Sequence, residues 1–433
     1  MSKVYILFLL VAFLIYISCG EDRTHEYEEL TERDHWMTDI MKEKYLWGDS
    51  INEEKIQWKS YFTEPVTFFK TLTAFAPFSD SWSWCSIDTL SIDYHERGFF
   101  NHLDSYGMDF MLMTDPTGAT SRQFARVITV IPGSPADRCG IERGDFIGMV
   151  DDNKMSSSYT SYIKSGKSRK LVVSHLDVNT ETEELIWSSV DTVQMEKSEY
   201  VEDVPYPVCK MFEAGPSYAA YLMCNRLTSG PVEKEADSQT YSSQLENIIS
   251  AVRTYSPENV IVDLRLCNFG QLEMANKLAS YLLSPSFNGQ AFATTFYNAS
   301  RFSENDVCYF DSHALQNGLS PENVFFITSA YTKGAAEWLI RAIQHALGEA
   351  NVFTIGVKTA GQYVMTEDIP SQYSATLHPA VAFVGNADGD YNYNNGISPD
   401  YEINEFTYVK LYPYGNENET VLSFVLSEIN HLY

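Results

Sequence analysis

The stretch that decides the fold of this chain is residues 126–147, which read RVITVIPGSPADRCGIERGDFI. The first six residues, 126–131, are rich in β-branched side chains, and such a composition predicts a β-strand. A Pro-Gly pair at 132–133 predicts a turn, and the residues that follow predict a short helix. A Gly-Asp pair at 144–145 predicts a second turn before another apolar strand. This order of elements indicates a small, β-rich domain.

The pattern GSPAxxxGIxxGDxI over residues 133–147 resembles the signature of a PDZ domain, which we expect to cover residues 101–205. The resemblance implies a loop whose backbone N–H groups hold a peptide C-terminus, followed by a strand that pairs with the peptide. The residues expected in this peptide-binding loop are Tyr106, Gly107, Met108, Asp109 and Phe110. Asp109 departs from the pattern, because a carboxylate there repels the carboxylate of a peptide end. A PDZ domain that serves only as an internal spacer or lid is the alternative.

Composition and charge limit the classes of partner. The chain has 433 residues, of which 44% are hydrophobic, so two or three domains with sizeable cores are expected. Asp and Glu number 58 against 30 Lys and Arg, which gives a formal net charge of -28. This charge favours solubility and repels phosphate backbones, so nucleic acid is not expected as a partner.

The first residues have the features of an export signal. Lys3 precedes an apolar segment, residues 4–17, which is short for a membrane span and ends in Ser18-Cys19-Gly20. A small residue before Cys resembles a bacterial lipoprotein box, which implies a signal peptide over residues 1–19 and acylation of the Cys19 thiol. The protein is then expected in the bacterial cell envelope, anchored to a membrane and either periplasmic or surface-exposed. An ordinary cleaved signal or a short anchor is the alternative.

Residues 20–100 are predicted to form a polar tether followed by a small helical domain. Thr31 is predicted to cap the N-terminus of a helix, because a carboxylate, Asp34, follows three residues later. Apolar residues then recur at helical spacing, which predicts that one face of this helix is buried. These residues are Trp36, Met37, Ile40, Met41 and Tyr45.

From residue 206 to residue 433 the pattern changes to alternating strands and helices. Short apolar runs at 260–264, 324–327 and 352–356 are typical of strands buried on both faces of a parallel sheet. Helical spacing of apolar residues between these runs predicts flanking helices. We therefore predict a multidomain α+β protein. It would contain a helical N-terminal domain, a PDZ domain, and an α/β core with a mostly parallel sheet.

Three short motifs in the core resemble those of the C-terminal processing, or tail-specific, serine peptidases. Tyr218–Leu222 resembles the opening strand of that family, Val262–Arg265 resembles its LDLR strand end, and Gly396–Asp400 resembles its late GxxPD motif. The resemblance covers nearly all of the chain after residue 19. It implies a serine endopeptidase that cuts proteins near their C-termini, with a Ser nucleophile, a Lys general base and no metal or organic cofactor.

The residues that should carry this chemistry are replaced. The family places its Ser three residues before a Glu at a helix N-terminus, and alignment on Glu337 puts Gly334 at that position. Alignment on the GxxTxG pattern at 356–361 puts Gln362 at the position of the Lys. Glycine has no side chain to attack a carbonyl group, and an amide does not accept a proton near neutral pH. The backbone positions expected for an oxyanion hole are Gly270 and Ala335, and the Gly-Gly pair that the family has after its LDLR motif keeps only one Gly here, in Cys267-Asn268-Phe269-Gly270.

Three functions remain open from the sequence. The first is a catalytically degenerate protein that binds polypeptide C-termini or unfolded tails through the PDZ domain and the cleft. The second is an active endopeptidase with rearranged residues, taken from Ser329, Thr332, Lys333 and Lys358. The third is a surface-display binding lipoprotein, for which the aromatic segment 391–395 offers a contact loop.

Two other reactive side chains are not expected to be catalytic. Cys267 is a poor candidate for a thiol nucleophile, because no His is placed in the sequence to activate it. His345 is predicted to be a surface residue. The six cysteines after Cys19 show no zinc-binding pattern, and their disulfide pairing is not readable from their spacing.

Overall fold

The computed structural model describes residues 24–87, 104–215, 217–231 and 238–432. The α-helices, in chain order, are α1 (Thr24–Lys44), α2 (Pro65–Thr73), α3 (Pro135–Arg138), α4 (Thr240–Arg253), α5 (Leu272–Tyr281), α6 (Ser312–Gln316), α7 (Ala335–Leu347) and α8 (Thr420–His431). Short 3-10 helices cover Gly48–Ser50, Glu53–Lys55, Trp58–Phe62, Ser157–Ile163, Pro285–Phe287, Ala299–Glu304 and Glu405–Thr407. Within these described ranges, the helices are all too short or too polar to cross a bilayer.

The strands, in chain order, are β1 (Trp84–Ile87), β2 (Met108–Thr114), β3 (Gln123–Val130), β4 (Phe146–Val150), β5 (Asn153–Lys154), β6 (Arg169–Val178), β7 (Leu185–Met195), β8 (Cys209–Ala214), β9 (Ser217–Met223), β10 (Asn259–Asp263), β11 (Ala291–Tyr297), β12 (Asp306–Tyr309), β13 (Asn323–Thr328), β14 (Val352–Gly356), β15 (Val364–Thr366), β16 (Ile369–Pro370), β17 (Ala375–His378), β18 (Ala380–Gly385) and β19 (Tyr401–Glu402). One four-stranded sheet has the order β12-β11-β18-β15.

The chain divides into two compact units, and the first contains described residues 24–87 together with 297–304 and 366–382. Helix α1 begins at Thr24, so the prediction that Thr31 caps its N-terminus is wrong. The acidic segment that was interpreted as a tether contains strong helix formers, and acidic residues near a helix N-terminus interact favourably with the helix dipole. Residues 20–23 and 88–103 of the predicted N-terminal region lie outside the described residues.

Helix packing and a small sheet stabilise this first unit. The apolar face of α1 is buried at Met37 and Met41, and Tyr45, the residue after the helix, is buried as well; each is 0% exposed. Strands β1, β17 and β16 form an antiparallel sheet in that order, and Trp84 is the register partner of His378. Segments that are distant in the sequence therefore complete the unit, which local patterns in residues 20–100 do not indicate.

The second unit begins with the predicted PDZ region. Its antiparallel sheet has the order β2-β3-β4-β6-β7 and covers an apolar core that includes Phe110, Val127, Ile147 and Val173. The strand predicted from the β-branched run is β3, and the short helix predicted after the Pro-Gly turn is α3. Strand β2 lies at one edge of this sheet, so one side of its backbone is not paired within the sheet.

The predicted parallel sheet is confirmed, and it positions the candidate site. Its order is β19-β14-β13-β10-β9-β8, and every pair is parallel except β8 with β9. The carboxyl ends of β10, β13 and β14 lead directly into segments 264–270, 329–334 and 357–362. Because the carboxyl ends of adjacent parallel strands meet at one edge of a sheet, the three predicted catalytic segments converge there.

A buried cluster of charges joins the PDZ region to the core within the second unit. Arg265, which follows β10 and is 2% exposed, forms ion pairs with Asp263 at 2.6 Å, with Glu419 at 2.9 Å, and with Glu405. Glu405 also forms an ion pair at 2.7 Å with Arg143 of the PDZ region. Burial acts to raise the pKa of Glu419, but Arg265 holds that pKa below its ordinary value. Each charge in the cluster is therefore compensated by its neighbours.

Replacement of Glu405 by Gln tests this cluster. The Glu405→Gln variant keeps the shape of the side chain but leaves Arg143 and part of the Arg265 charge uncompensated in a buried place. We expect the free energy of unfolding to fall by about 3 kcal/mol, as is usual when one partner of a buried ion pair is removed. Urea unfolding followed by circular dichroism measures the change.

An exposed ion pair of similar geometry provides the control. Lys42 and Glu53 are 2.7 Å apart, with side chains that are 45% and 42% exposed. The Glu53→Gln variant should change the free energy of unfolding by less than about 1 kcal/mol, since water and salt screen exposed pairs. If Glu405→Gln is no more destabilising than Glu53→Gln, the buried cluster does not stabilise the second unit as described.

Candidate active site

The structure brings the predicted nucleophile and base positions together. Gly334 lies at the N-cap of α7, with φ +57 and ψ -117. A Cβ atom placed on Gly334 would lie 3.2 Å from Oε1 and 3.5 Å from Nε2 of Gln362. The side chain of Gln362 donates a hydrogen bond to Val364 O at 3.3 Å. A Ser and a Lys at these two positions would thus be neighbours, whereas the residues present offer neither a nucleophile nor a base.

Glu337, in the first turn of α7, organises the backbone around this point. Its carboxylate accepts hydrogen bonds from the backbone N–H groups of Gly334 at 3.0 Å, Gly361 at 2.7 Å and Gln362 at 2.7 Å, and from the Thr359 hydroxyl. The side chain is 0% exposed. Burial raises the pKa of Glu337 to about 6, against the lowering effect of its hydrogen-bond donors. This one carboxylate fixes the segment before α7 against the segment after β14.

The two backbone positions predicted for an oxyanion hole are also adjacent. A Cβ atom placed on Gly270 would lie 2.7 Å from Cβ of Ala335, so only glycine fits this close approach. The N–H groups of Gly270 and Ala335 donate to no residue that the structure describes. Ala335 is the first residue of the 13-residue helix α7, where the helix dipole favours negative charge. Both N–H groups are available to an oxygen atom of a bound polypeptide.

Two of the four residues considered as replacement catalysts are committed to structural hydrogen bonds. The Ser329 hydroxyl donates to Arg265 O at 2.6 Å and accepts from Tyr331 N at 2.9 Å. The Thr332 hydroxyl donates to Leu264 O at 2.8 Å and accepts from Ser329 N at 2.9 Å. Ser329 and Thr332 are 7% and 0% exposed. These hydroxyl groups fasten segment 329–334 to the end of β10.

The other candidate side chains differ in their burial and in their contacts. Lys333 donates its backbone N–H to Cys267 O at 3.1 Å, and Lys358 is exposed. Cys267 is 0% exposed and has no disulfide partner. His345 is 35% exposed, as expected for a surface residue, and its Nδ1 lies 3.5 Å from a carboxylate oxygen of Asp388.

The predicted peptide-binding loop is largely occupied by the PDZ region itself. The side chains of Tyr106, Met108, Asp109 and Phe110 are buried. The N–H of Tyr106 donates to Lys164 O at 3.1 Å, and the N–H of Gly107 donates to Ser105 Oγ at 2.9 Å. These two groups are therefore not free to hold a peptide carboxylate. Strand β2, which follows this loop, is the edge strand of its sheet.

The PDZ region and the candidate active site are electrostatically connected. Burial, together with the carboxylates of Asp109 and Glu405, raises the pKa of Tyr331, which lies three residues before Gly334. Asp109 therefore lies close enough to Tyr331 to affect the pKa of its hydroxyl group.

Sequence reasoning missed the central position of Glu337. The Ser-x-x-Glu spacing of the family marked this residue only as an anchor for alignment, and its four hydrogen-bond donors come from two separate segments. The Thr of the GxxTxG pattern was the available signal, because a hydroxyl group beside a buried carboxylate is a natural hydrogen-bond partner. Among the described residues, no group of three or more His, Cys, Asp and Glu side chains is arranged to hold a metal ion.

Comparison with protein families identifies both folded regions. Residues 226–403 match the model of peptidase family S41, and residues 126–170 match the model of the PDZ domain. These matches confirm the resemblances inferred from the sequence motifs. A comparison with curated proteins gives no match.

Two solved structures are similar over nearly the whole chain. A putative S41 protease from Bacteroides fragilis is 26% identical, with a TM-score of 0.77, and the match covers 92% of this chain and 97% of that one. The photosystem II D1 C-terminal processing protease is 15% identical with a TM-score of 0.53, over 93% of this chain and 97% of that one, so it shows the fold alone. The core of the chain, residues 226–403, is therefore similar to peptidase family S41, the C-terminal processing peptidases, and residues 126–170 are similar to the PDZ domain.

Proposed function

We propose that this protein is an exported S41 family member that binds polypeptide tails in its cleft and PDZ domain and does not cleave them. One observation carries the proposal: the positions of the nucleophile and the base are neighbours, yet they hold Gly334 and Gln362. Hydrolysis by this family's mechanism needs a hydroxyl group that attacks the carbonyl and a base that takes its proton. Neither residue supplies such a group.

The site keeps features that could bind a polypeptide, although it lacks the groups that would cut it. The N–H groups of Gly270 and Ala335 point to no described acceptor, and they suit a carbonyl or carboxylate oxygen of a bound chain. The position of β2 at the edge of the PDZ sheet suits an extended polypeptide that adds a strand to that sheet. Binding without turnover uses both features.

The alternative of an active peptidase with rearranged residues has less support. It requires a free hydroxyl group near a base, and the hydroxyl groups of Ser329 and Thr332 are already bonded to Arg265 O and Leu264 O. The segment that would have to move is held by Glu337 through Gly334 N. A nucleophile at Ser329 or Thr332 would therefore break existing buried hydrogen bonds before it could react.

The aromatic segment 391–395 offers little to a surface-display function. The ring of Tyr391 stacks on Phe383, with centroids 4.6 Å apart and an interplanar angle of 5°. Tyr393 is 5% exposed and its hydroxyl donates to Val384 O. These rings pack inward, so a partner surface would have little aromatic area to contact.

The export part of the proposal rests on sequence. Residues 1–23 lie outside the described residues, and the apolar segment 4–17 and the lipoprotein box at Ser18-Cys19-Gly20 support this part of the proposal. On this proposal the Cys19 thiol is acylated and anchors the protein to a membrane of the bacterial cell envelope, either periplasmic or surface-exposed. Polypeptide tails in that compartment are the proposed partners.

Restoring both groups should restore cleavage. We expect the double variant Gly334→Ser, Gln362→Lys to cleave an unstructured protein with an apolar C-terminus at least about 100-fold faster than the unmodified protein, because nucleophile and base are again neighbours. Product formation, followed by gel electrophoresis and mass spectrometry, measures the rates. Circular dichroism verifies folding, since a side chain at this positive φ costs about 1–3 kcal/mol.

A double variant with the same backbone strain but no hydroxyl group is the matched control. Gly334→Ala with Gln362→Lys should stay at the rate of the unmodified protein. Rapid cleavage by the unmodified protein would contradict the proposal and direct attention to Ser329, Thr332, Lys333 and Lys358. A folded Ser-Lys variant that remains inactive would contradict the assignment of positions 334 and 362.

The raised pKa of Glu337 predicts a pH dependence of stability. Burial raises the pKa of the Glu337 carboxyl from 4.5 to about 6 in the folded protein. The contribution of this carboxyl to the free energy of unfolding is therefore fully present below pH 4.5 and is lost as the pH rises through 6. The free energy of unfolding, relative to that of a Glu337→Gln variant, should fall by about 2 kcal/mol between about pH 4 and about pH 7. Urea unfolding at several pH values measures this difference.

Glu349 is an exposed carboxylate just after α7, and Glu349→Gln is the control for general effects of pH. The difference between that variant and the unmodified protein should stay constant over the same range. A Glu337→Gln profile parallel to that of the unmodified protein would show that Glu337 is not the buried, protonatable carboxyl described above.

A further inference from the structure

The small sheet of the first unit carries a serine, a histidine and an aspartate in hydrogen-bonding sequence. Ser86 lies on β1, His378 ends β17, and Asp368 immediately precedes β16. The Nε2 atom of His378 lies 3.2 Å from Ser86 Oγ, and its Nδ1 atom lies 2.7 Å from Asp368 Oδ1. These residues share no member with the S41 site at positions 334 and 362.

The carboxylate sets the direction of the hydrogen bonds. An ionised Asp368 can only accept, so Nδ1 of a neutral His378 carries the proton, and Nε2 presents its lone pair to the Ser86 hydroxyl. The hydroxyl group of Ser86 therefore donates to a base whose orientation is fixed by a carboxylate. A nucleophile within reach of a base, with that base oriented by a third group, is the arrangement that activates serine in unrelated hydrolases.

The surroundings hold the base in place and leave the nucleophile accessible. The Trp84 ring stacks on the His378 ring, with centroids 3.4 Å apart and an interplanar angle of 8°. The His378 side chain is 7% exposed, whereas Ser86 is only half-buried and the Asp368 side chain is 78% exposed. The antiparallel register of β1 and β17 maintains this spacing through the Trp84–His378 and Ser86–Thr376 partners.

We propose that Ser86, His378 and Asp368 form a second, acyl-accepting serine site that reacts with small activated esters. A small ester is favoured over a polypeptide because Ser86 is half-buried beside the Trp84 ring. This site is independent of the proposed binding of polypeptide tails, since the two use different residues and different units of the chain.

The reaction balances without any cofactor or redox partner. The Ser86 Oγ atom forms a bond to the ester carbonyl carbon while its proton passes to His378 Nε2, and the ester C–O bond then breaks. His378 returns this proton to the leaving alkoxide, which departs as an alcohol. Water, deprotonated by His378, then attacks the acyl carbon, the bond to Ser86 Oγ breaks to release a carboxylic acid, and His378 returns the proton to Ser86 Oγ. Asp368 acts through His378 as a positioning residue that stabilises the imidazolium form.

A covalent probe tests the proposal. The purified full chain is incubated with a biotinylated fluorophosphonate, and the modified residue is located by peptide mass spectrometry. We expect labelling at Ser86, loss of that label in Ser86→Ala, and labelling at least about 10-fold slower in Asp368→Asn. Asp368→Glu, which keeps a carboxylate, should recover part of the rate.

Asp388 provides a matched control. Its side chain is 77% exposed, against 78% for Asp368, and it lies 3.5 Å from Nδ1 of His345. Asp388→Asn should leave the labelling rate at Ser86 unchanged. A folded full chain that is not labelled at Ser86 would overturn the proposal, and so would labelling confined to another serine. An Asp368→Asn rate equal to that of Asp388→Asn would remove Asp368 from the site.

Discussion

The arrangement of the segments in the second unit depends on the buried guanidinium group of Arg265. It follows β10 in the LDLR-like motif, it is almost wholly buried, and it is surrounded by the carboxylates of Asp263, Glu405 and Glu419. Glu405 in turn compensates Arg143 of the PDZ region. Since a buried charge is tolerated only with its partners in place, this cluster requires the strand end, the C-terminal segment and the PDZ region to keep one arrangement.

The backbone around Arg265 also holds the candidate active site in place. The carbonyl oxygens of Leu264 and Arg265 accept hydrogen bonds from the hydroxyl groups of Thr332 and Ser329, which fasten the segment before α7. Glu337 then fastens α7 to the segment that ends in Gln362. The scaffold of a peptidase site is thus held by buried hydrogen bonds that do not involve a nucleophile or a base. These bonds explain how Gly334 and Gln362 lie side by side without a nucleophile or a base at either position.

Much of the fold could be predicted from local patterns. The run at 126–131 is a strand, the runs at 260–264, 324–327 and 352–356 correspond to neighbouring strands of the parallel sheet, and the motif order led to the family. Alignment on Glu337 and on the GxxTxG pattern also selected two residues, far apart in the sequence, that are neighbours in space. These successes share a cause, because short motifs and apolar periodicity are local properties of the chain.

What the sequence did not predict depends on contacts between distant segments. The pairing of β1 with β17 gives no local signal, so the composition of the first unit and the approach of Ser86 to His378 were not foreseen. The start of α1 was placed at Thr31 because an acidic segment was interpreted as a tether, although its residues are good helix formers. The convergence of four donors on Glu337 likewise requires the fold before it can be recognised.

On the proposed function, the protein binds a polypeptide tail and leaves it intact. The most direct measurement is fluorescence anisotropy of a labelled, unstructured polypeptide with an apolar C-terminus, followed by intact mass spectrometry of the same sample. We expect saturable binding, an unchanged polypeptide mass, and affinity at least about tenfold weaker for the C-terminal amide, because a charge-assisted hydrogen bond is lost. Cleavage of the bound polypeptide, or the absence of saturable binding, would contradict the claim.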